Sequence, residues 1–253
     1  MSTLYETSPA LTRLRHGFFG RHGGSSAGVY ARNNMSFTTG DDTAPVAANR
    51  AGVATALGYD PADLVILKQT HSATVHVVTG RLPADAVIEA DGMVTNRTGL
   101  LLGILTADCT PILFADLEAG IIGAAHAGWR GAVDGIIGNT IAAMLALGAR
   151  TDRIVAAIGP TISGPNYEVG PQFAADLLAA HPQAGNRISI PAGGVEHFDL
   201  PGFVADCLTA AGIGAIDRVG ACTYAHPERY FSHRYATHHD IKTGRQVAVI
   251  GLT

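Results

Sequence analysis

The sequence predicts an α+β fold, and three observations carry that prediction. Short apolar runs suited to buried strands fill the middle of the chain. Long helical patterns are few. Strands and helices follow one another without the regular alternation of a doubly wound sheet. Taken in order, residues 15–43 are rich in Gly, Ser, Asn and Asp and read as largely loop. Residues 64–78 read as two strands, an apolar run at Leu64–Leu67 and an alternating one at Val75 and Val77, with KQTHS at a strand end or turn between them. Residues 100–105, 111–115 and 120–128 are further runs of buried-strand type. WRGAVDGIIGNTIAAMLALGA then places Val133, Ile136, Ile137, Thr140, Ile141, Met144 and Leu145 at helical spacing, with Gly148 as the stop, which predicts one long helix. Helices are also predicted at 171–180, where Pro171 suits a first turn, and at 201–211. Strands are predicted at 153–158, 216–221 and 246–251. No repeat or linker divides the chain, so residues 1–253 read as one domain.

Composition narrows the function. The chain has 253 residues, 47% hydrophobic and 15% charged, enough for a sizeable core. A net charge of −4 argues against nucleic acid or an anionic membrane as partner, since both call for a basic surface. Three cysteines, an odd and small number, argue against a disulfide framework and for a reducing cytoplasm. MSTLYETSPALTRLRHGFF holds no apolar run long enough for a secretory signal. The most apolar region, 98–127, is interrupted by Asp108, Asp116 and Glu118 and does not read as a membrane span.

Three stretches set a metal-capable side chain beside an apolar run: KQTHS with His71, TADC with Cys109 and AAHAGWRG with His126. One thiolate and two imidazoles suit tetrahedral zinc with a fourth position left for water or substrate. The spacing is no established metal signature, and a buried Cys is often a small apolar filler. Asp108 either orients a histidine or moves a proton, or it caps a turn. Arg130 and nearby amides, where the long helix should begin, are candidates for binding phosphate. Arg50, Lys68 and Arg234 are further anion candidates whose default is a surface role. Trp129 reads as a packing anchor, Cys207 and Cys222 as buried, and His76 as facing solvent or the far side of its sheet. His238 and His239 read as surface residues in a polar turn.

LKQTHSATV, ADGMVTNRTGLLLGILTADCTPILFAD, GAAHAGWRG, IGPTISGPNYEVG and RYFSHR, with HGFFGRHGG and GDD near the N-terminus, together resemble the laccase-domain family. Its members are zinc-dependent purine nucleoside phosphorylases that also deaminate adenosine. The resemblance runs from about residue 16 to the C-terminus. It implies a four-layer α+β sandwich with two packed mixed sheets flanked by helices. It implies one zinc ion on His71, Cys109 and His126, with copper as a substitute. It also implies purine nucleosides and phosphate as substrates, with Asp108, Cys109 and His126 in the chemistry and Asn34, Gln69, Arg50, Lys68 and Arg130 binding substrate. A monomer or small homo-oligomer is expected. The chain departs from the family at Thr161, where Cys is common, at RNNMS, which keeps Asn34, and at QTHS, which keeps Gln69. These departures bear on substrate preference more than on the metal site.

Rival functions separate on the same residues. A multicopper laccase needs paired HxH motifs, and none of the 11 histidines forms one. A Cys–His hydrolase would use Cys109 as nucleophile with His126 or His71 as base. No exposed apolar helix or charged tail suggests a non-catalytic partner protein, and no Rossmann or P-loop pattern suggests a dinucleotide or nucleoside triphosphate enzyme.

Overall fold

TPILFAD, residues 110–116, is buried at every position, so both faces of this strand must be covered. The computed structural model, which describes residues 4–83 and 85–253, shows how. In chain order the strands are β1 (Tyr5–Glu6), β2 (Arg15–Phe19), β3 (Leu64–Ile66), β4 (Val75–Val77), β5 (Gly92–Thr95), β6 (Leu101–Thr106), β7 (Thr110–Asp116), β8 (Ile121–Ala127), β9 (Val155–Ile158), β10 (Ile188–Ser189), β11 (His197–Phe198), β12 (Ala215–Arg218) and β13 (Gln246–Gly251). The helices are α1 (Thr43–Ala56), α2 (Trp129–Val133), α3 (Ile136–Ala146), α4 (Pro171–Ala180), α5 (Leu200–Ala210) and α6 (His233–His238).

Two mixed sheets stack. The first has the order β1-β2-β13-β6-β3 and the second β12-β9-β7-β8-β5-β4, while β10 and β11 form a separate hairpin pair. The two-residue period of a strand assigns each side chain to a layer. Leu113, Ala115, Ile122 and Ala124 of the second sheet meet Leu102, Ile104, Ala248 and Ile250 of the first. Their neighbours Ile112, Phe114, Ile121 and Ala125 face away, into a cluster with Ile136, Ile141, Leu177, Phe203 and Leu208 of α3, α4 and α5. On the other side Val247, Val249 and Leu101 pack with Val53 and Ala54 of α1. The layers run helix, sheet, sheet, helices, which is the expected four-layer α+β sandwich. Among the described residues no helix is long and apolar enough to cross a membrane.

Local expectations fail where the signal is weak. The loop predicted over 15–43 contains β2, whose His16, Gly17, Phe18 and Phe19 are buried between β1 and β13. Glycine- and polar-rich flanks hid that short apolar core. The helix α1 is rich in Ala, Thr and Gly and buries only Val46, Asn49, Val53 and Ala54, so its sequence carries little amphipathic pattern. The single long helix is two, α2 and α3, broken at Gly135, whose φ of 97° is left-handed. The strand β5 carried no predicted counterpart. His238 and His239 are exposed as expected but lie at the end of α6.

Gly159, just after β9, shows how closely the two sheets approach. A methyl group there would overlap the Phe18 ring of β2 and come within 2.9 Å of Pro111 Cγ. Gly159→Ala should therefore destabilise the chain by about 1–3 kcal/mol through overpacking. Denaturant unfolding checks this, and an unchanged midpoint would show that the sheets are not in such contact.

Candidate metal centre

The chain leaves the first sheet at Thr106 and enters the second at Thr110, so Ala107, Asp108 and Cys109 form the crossover between them. That position explains a carboxylate and a thiol between two apolar runs: they sit at the seam, where two strand ends and two loops meet. The loop after β3 delivers His71 and the end of β8 delivers His126. The three donor atoms lie within 4.8 Å of one another. Cys109 Sγ is 3.8 Å from His71 Nε2. Tetrahedral bonds of about 2.0–2.3 Å place neighbouring donors about 3.5 Å apart, close to this spacing. His71 is exposed, Cys109 half-buried and His126 buried.

Gly128 keeps the space open. A Cβ there would sit 2.7 Å from His71 Cδ2 and 3.1 Å from Cys109 Sγ. The fit of donor set, spacing and cradle supports a metal ion on these three side chains.

The residue that organises the trio is Asp91, which stands just before β5 and is completely buried. Its Oδ1 accepts from His126 Nδ1 at 2.8 Å and from the His71 amide at 3.0 Å. Its Oδ2 accepts from the amides of Thr70 and Ser72 at 3.0 and 2.7 Å, and from Ser72 Oγ at 2.8 Å. With Nδ1 engaged as donor, His126 is left with Nε2 to face the site. The amide bonds also hold His71 at a φ of 60°. A left-handed non-glycine residue costs on the order of 1–2 kcal/mol, and one hydrogen bond to a charged group contributes about as much or more. Burial opposes ionisation of Asp91, but the bonds from His126, Ser72 and Thr70 outweigh it and hold the carboxyl far below its usual range. The anchorage is therefore kept above the ordinary carboxyl range and through mild acid, and lost only in strong acid.

Burial likewise pushes the Cys109 thiol up, yet the His126 and His71 imidazoles reverse this and draw it below its ordinary value. His126 moves the other way. Burial lowers it, and the facing Cys109 sulfur and Asp91 raise it beyond that loss. The pair favours thiolate, the form that binds metal.

A cavity of about 590 Å³ opens on the trio, within the roughly 300–1,000 Å³ of small-ligand sites. Arg50, Lys68 and Gln69 line it, as does Arg245, which the sequence reading passed over. Gln69 spends its carboxamide on Leu105, donating to the carbonyl and accepting from the amide at 2.8 Å each. It thereby continues the sheet where β3 departs, rather than offering free polar atoms. Lys68 is exposed and paired with Glu89 at 2.8 Å. His233, the first residue of α6, also lines the cavity, and burial followed by the nearby Arg245 draws its imidazole below its ordinary value.

Four candidate site residues lie elsewhere. Asp108 bonds no histidine. Thr223 Oγ1 and the Arg234 amide, both at 2.6 Å, occupy its oxygens, and they pin its left-handed backbone to the C-terminal segments. Asn34 is fully buried behind the wall, bonded to Ser36, Thr39, Asp41 and the Arg245 amide. Arg130 is exposed on α2, 5.1 Å over the Trp129 ring, and does not line the cavity. Arg234 also misses the cavity, since its guanidinium reaches the Glu168 carbonyl. Trp129 packs edge-on against Phe173 at 4.9 Å, the anchoring role expected of it. Asp91 did have a sequence signal. It is a carboxylate directly before the apolar GMV run, as Asp108 is one directly after LLGILTA.

Residues 15–253 match the family described as multi-copper polyphenol oxidoreductase laccase. The chain belongs to that family. The purine nucleoside phosphorylase of Deinococcus radiodurans is 44% identical over 97% of this chain and 95% of its own. Adenosine deaminase RL5, from an unknown prokaryotic organism, is 37% identical over 81% of this chain and 82% of its own. The crystal structure of Bacillus licheniformis hypothetical protein YfiH superposes with a TM-score of 0.91 at 30% identity, covering 100% of this chain and 98% of that one. The chain is an enzyme by this kinship. Although the family's description names several coppers, the described residues offer a single group of three metal-capable side chains.

If Asp91 positions both histidines, Asp91→Asn should weaken metal binding by about 10–100-fold. Competition against a chromophoric chelator measures this. Wild-type affinity in a folded variant would remove Asp91 from the role.

Proposed function

We propose that the chain is a zinc-dependent purine nucleoside phosphorylase that also deaminates adenosine. The observation that carries this reading is the convergence of His71, Cys109 and His126 on one wall of a nucleoside-sized cavity. The two relatives named above, one a phosphorylase and one a deaminase, support both reactions. In phosphorolysis the C1′–N9 bond breaks, its electron pair leaves with the base, and a phosphate oxygen bonds C1′. The base takes up a proton as it leaves. In deamination water adds at C6 and the amino group leaves as ammonia. Zinc, when bound, supplies Lewis acidity and lowers the pKa of a water.

The chain's own residues supply the rest. Asp91 fixes His71 and His126. The exposed apolar side chains of Phe37 and Val87 line the cavity and offer a surface to a purine ring. Cationic side chains for phosphate come from this wall, with Arg50 replacing Arg130, whereas Lys68 is spent on Glu89. His233, an imidazole outside the trio, lines the cavity and is able to carry a proton. The direct test is turnover of inosine and adenosine by metal-quantified protein, with and without phosphate, products separated by chromatography. Base and ribose 1-phosphate should form only with phosphate, and inosine should form from adenosine without it. No product from either nucleoside would refute the reading.

The lowered Cys109 thiol beside two imidazoles also fits a Cys–His hydrolase, and one variant separates the two. Cys109→Ser should lose metal and activity together, because zinc binds a neutral hydroxyl poorly. Chelation should lower the wild-type melting temperature, as a ligand at a thousandfold excess over Kd stabilises by about 4 kcal/mol. A variant that keeps stoichiometric zinc and full chelator sensitivity, while the wild type forms a covalent intermediate, would establish the hydrolase instead.

A further inference from the structure

We propose that Arg50 and Arg245 form an oxyanion subsite that holds a phosphate group in the cavity, on the side built by the first sheet. Arg50 projects from α1, which packs on that sheet, and Arg245 immediately precedes its strand β13. Cys109 and His126 come from the second sheet, so the cationic pair rises from a different layer than these two metal ligands, while His71 lies on the loop between β3 of the first sheet and β4 of the second.

One short strap fixes both arginines. Arg50 Nε donates to the Met35 carbonyl at 2.8 Å, and the Met35 amide donates to the Arg245 carbonyl at 2.9 Å. The Arg245 amide donates to Asn34 Oδ1 at 2.9 Å, and Asn34 Nδ2 is tied to Ser36, Thr39 and Asp41. Asn34 is thus a positioning residue for the cations rather than a ligand to substrate. Each guanidinium makes one hydrogen bond to the protein, Arg50 to Met35 and Arg245 through Nη1 to the Gly244 carbonyl. Among the described residues neither pairs with a carboxylate. Arg50 also lies 4.3 Å over the Phe37 ring, which fixes its plane. The remaining donors, four N–H-bearing nitrogens across the two side chains, have no protein partner while both groups line the cavity.

Half-buried cations without a counter-ion are costly, and burial lowers both, Arg50 to about 10. An anion with several acceptor oxygens restores what burial removed, and forked guanidinium donors match phosphate geometry. The Ser36 and Thr38 hydroxyls, 3.1 Å apart, line the same stretch and add neutral donors. Lys68 does not belong to the subsite, because Glu89 already neutralises it. The shared ligand chemistry is a phosphate group, from free phosphate or from a nucleoside monophosphate. We assign it to free phosphate. That assignment rests on the phosphorolysis reading, whereas the existence of the subsite does not.

Calorimetric titration of inorganic phosphate into the full chain at low ionic strength tests this, with metal loaded and after chelation. Adenosine 5′-monophosphate is titrated in parallel. Binding should persist after chelation and weaken about tenfold or more in Arg245→Met and in Arg50→Met. The two variants are independent, and each is used only with wild-type zinc content and a cooperative melt. Phosphate binding that vanishes on chelation and survives in both variants would overturn the subsite. Arginine-dependent binding of the monophosphate alone would support the subsite and overturn its assignment to free phosphate. In turnover assays, an unchanged phosphate KM in both variants would overturn the subsite and leave phosphorolysis standing. A wild type without phosphorolysis would remove the functional reading and leave the calorimetry to decide the subsite.

Discussion

The site depends on one buried carboxylate. Asp91 has no exposure to solvent, and an ionised group there is tolerable only if every lone pair is used. Its oxygens gather three successive amides, a serine hydroxyl and the His126 ring. The first set bends the chain at residue 71 so that a left-handed histidine points back at the seam. The second sets the tautomer of His126. One group thus fixes two donors, one on a loop and one at the end of β8, and these imidazoles draw the thiol between them below its ordinary value.

The sheets supply the other constraint. Because β6 and β7 belong to different layers, the chain must cross the seam in three residues, and Cys109 is carried there by the crossover itself. Asp108 serves that turn. Its left-handed backbone is held from the side chain by Thr223 and Arg234 and from its carbonyl by Ile162 and Thr161. The C-terminal segments that make these bonds also carry His233 and Arg245 into the cavity. A cavity formed where two layers part can therefore take two of its metal ligands, Cys109 and His126, from one sheet and cationic donors from the other.

Much of this was legible in the sequence. Strong apolar runs marked β3, β6, β7, β8 and β13, and residues flanking those runs held the trio. What escaped detection had physical reasons. The helix α1 buries small side chains and shows little pattern, so Arg50 could not be placed on a wall. The strand β2 is too short and too flanked by glycine to stand out. Arg130 looked well placed at a helix start, but α2 turns it outward over Trp129, a matter of helical phase that spacing does not give. The family resemblance placed Asn34 and Gln69 against substrate. Gln69 is consumed by the Leu105 backbone, and Asn34 by backbone groups together with the Thr39 and Asp41 side chains, since a buried amide side chain takes hydrogen-bond partners within the protein. Asp91 and Asp108 look alike in sequence, each a carboxylate at the edge of an apolar run, and only the three-dimensional pairing tells which one meets a histidine.

The central claim is that a single ion is held by one sulfur and two imidazoles at the seam. X-ray absorption at the zinc edge of the purified, metal-replete protein tests it without reference to any reaction. The account predicts one zinc per chain, with one sulfur at about 2.3 Å and two imidazole nitrogens at about 2.0–2.1 Å, the remaining position being a light atom. A shell without sulfur, or with more than one sulfur, would contradict it.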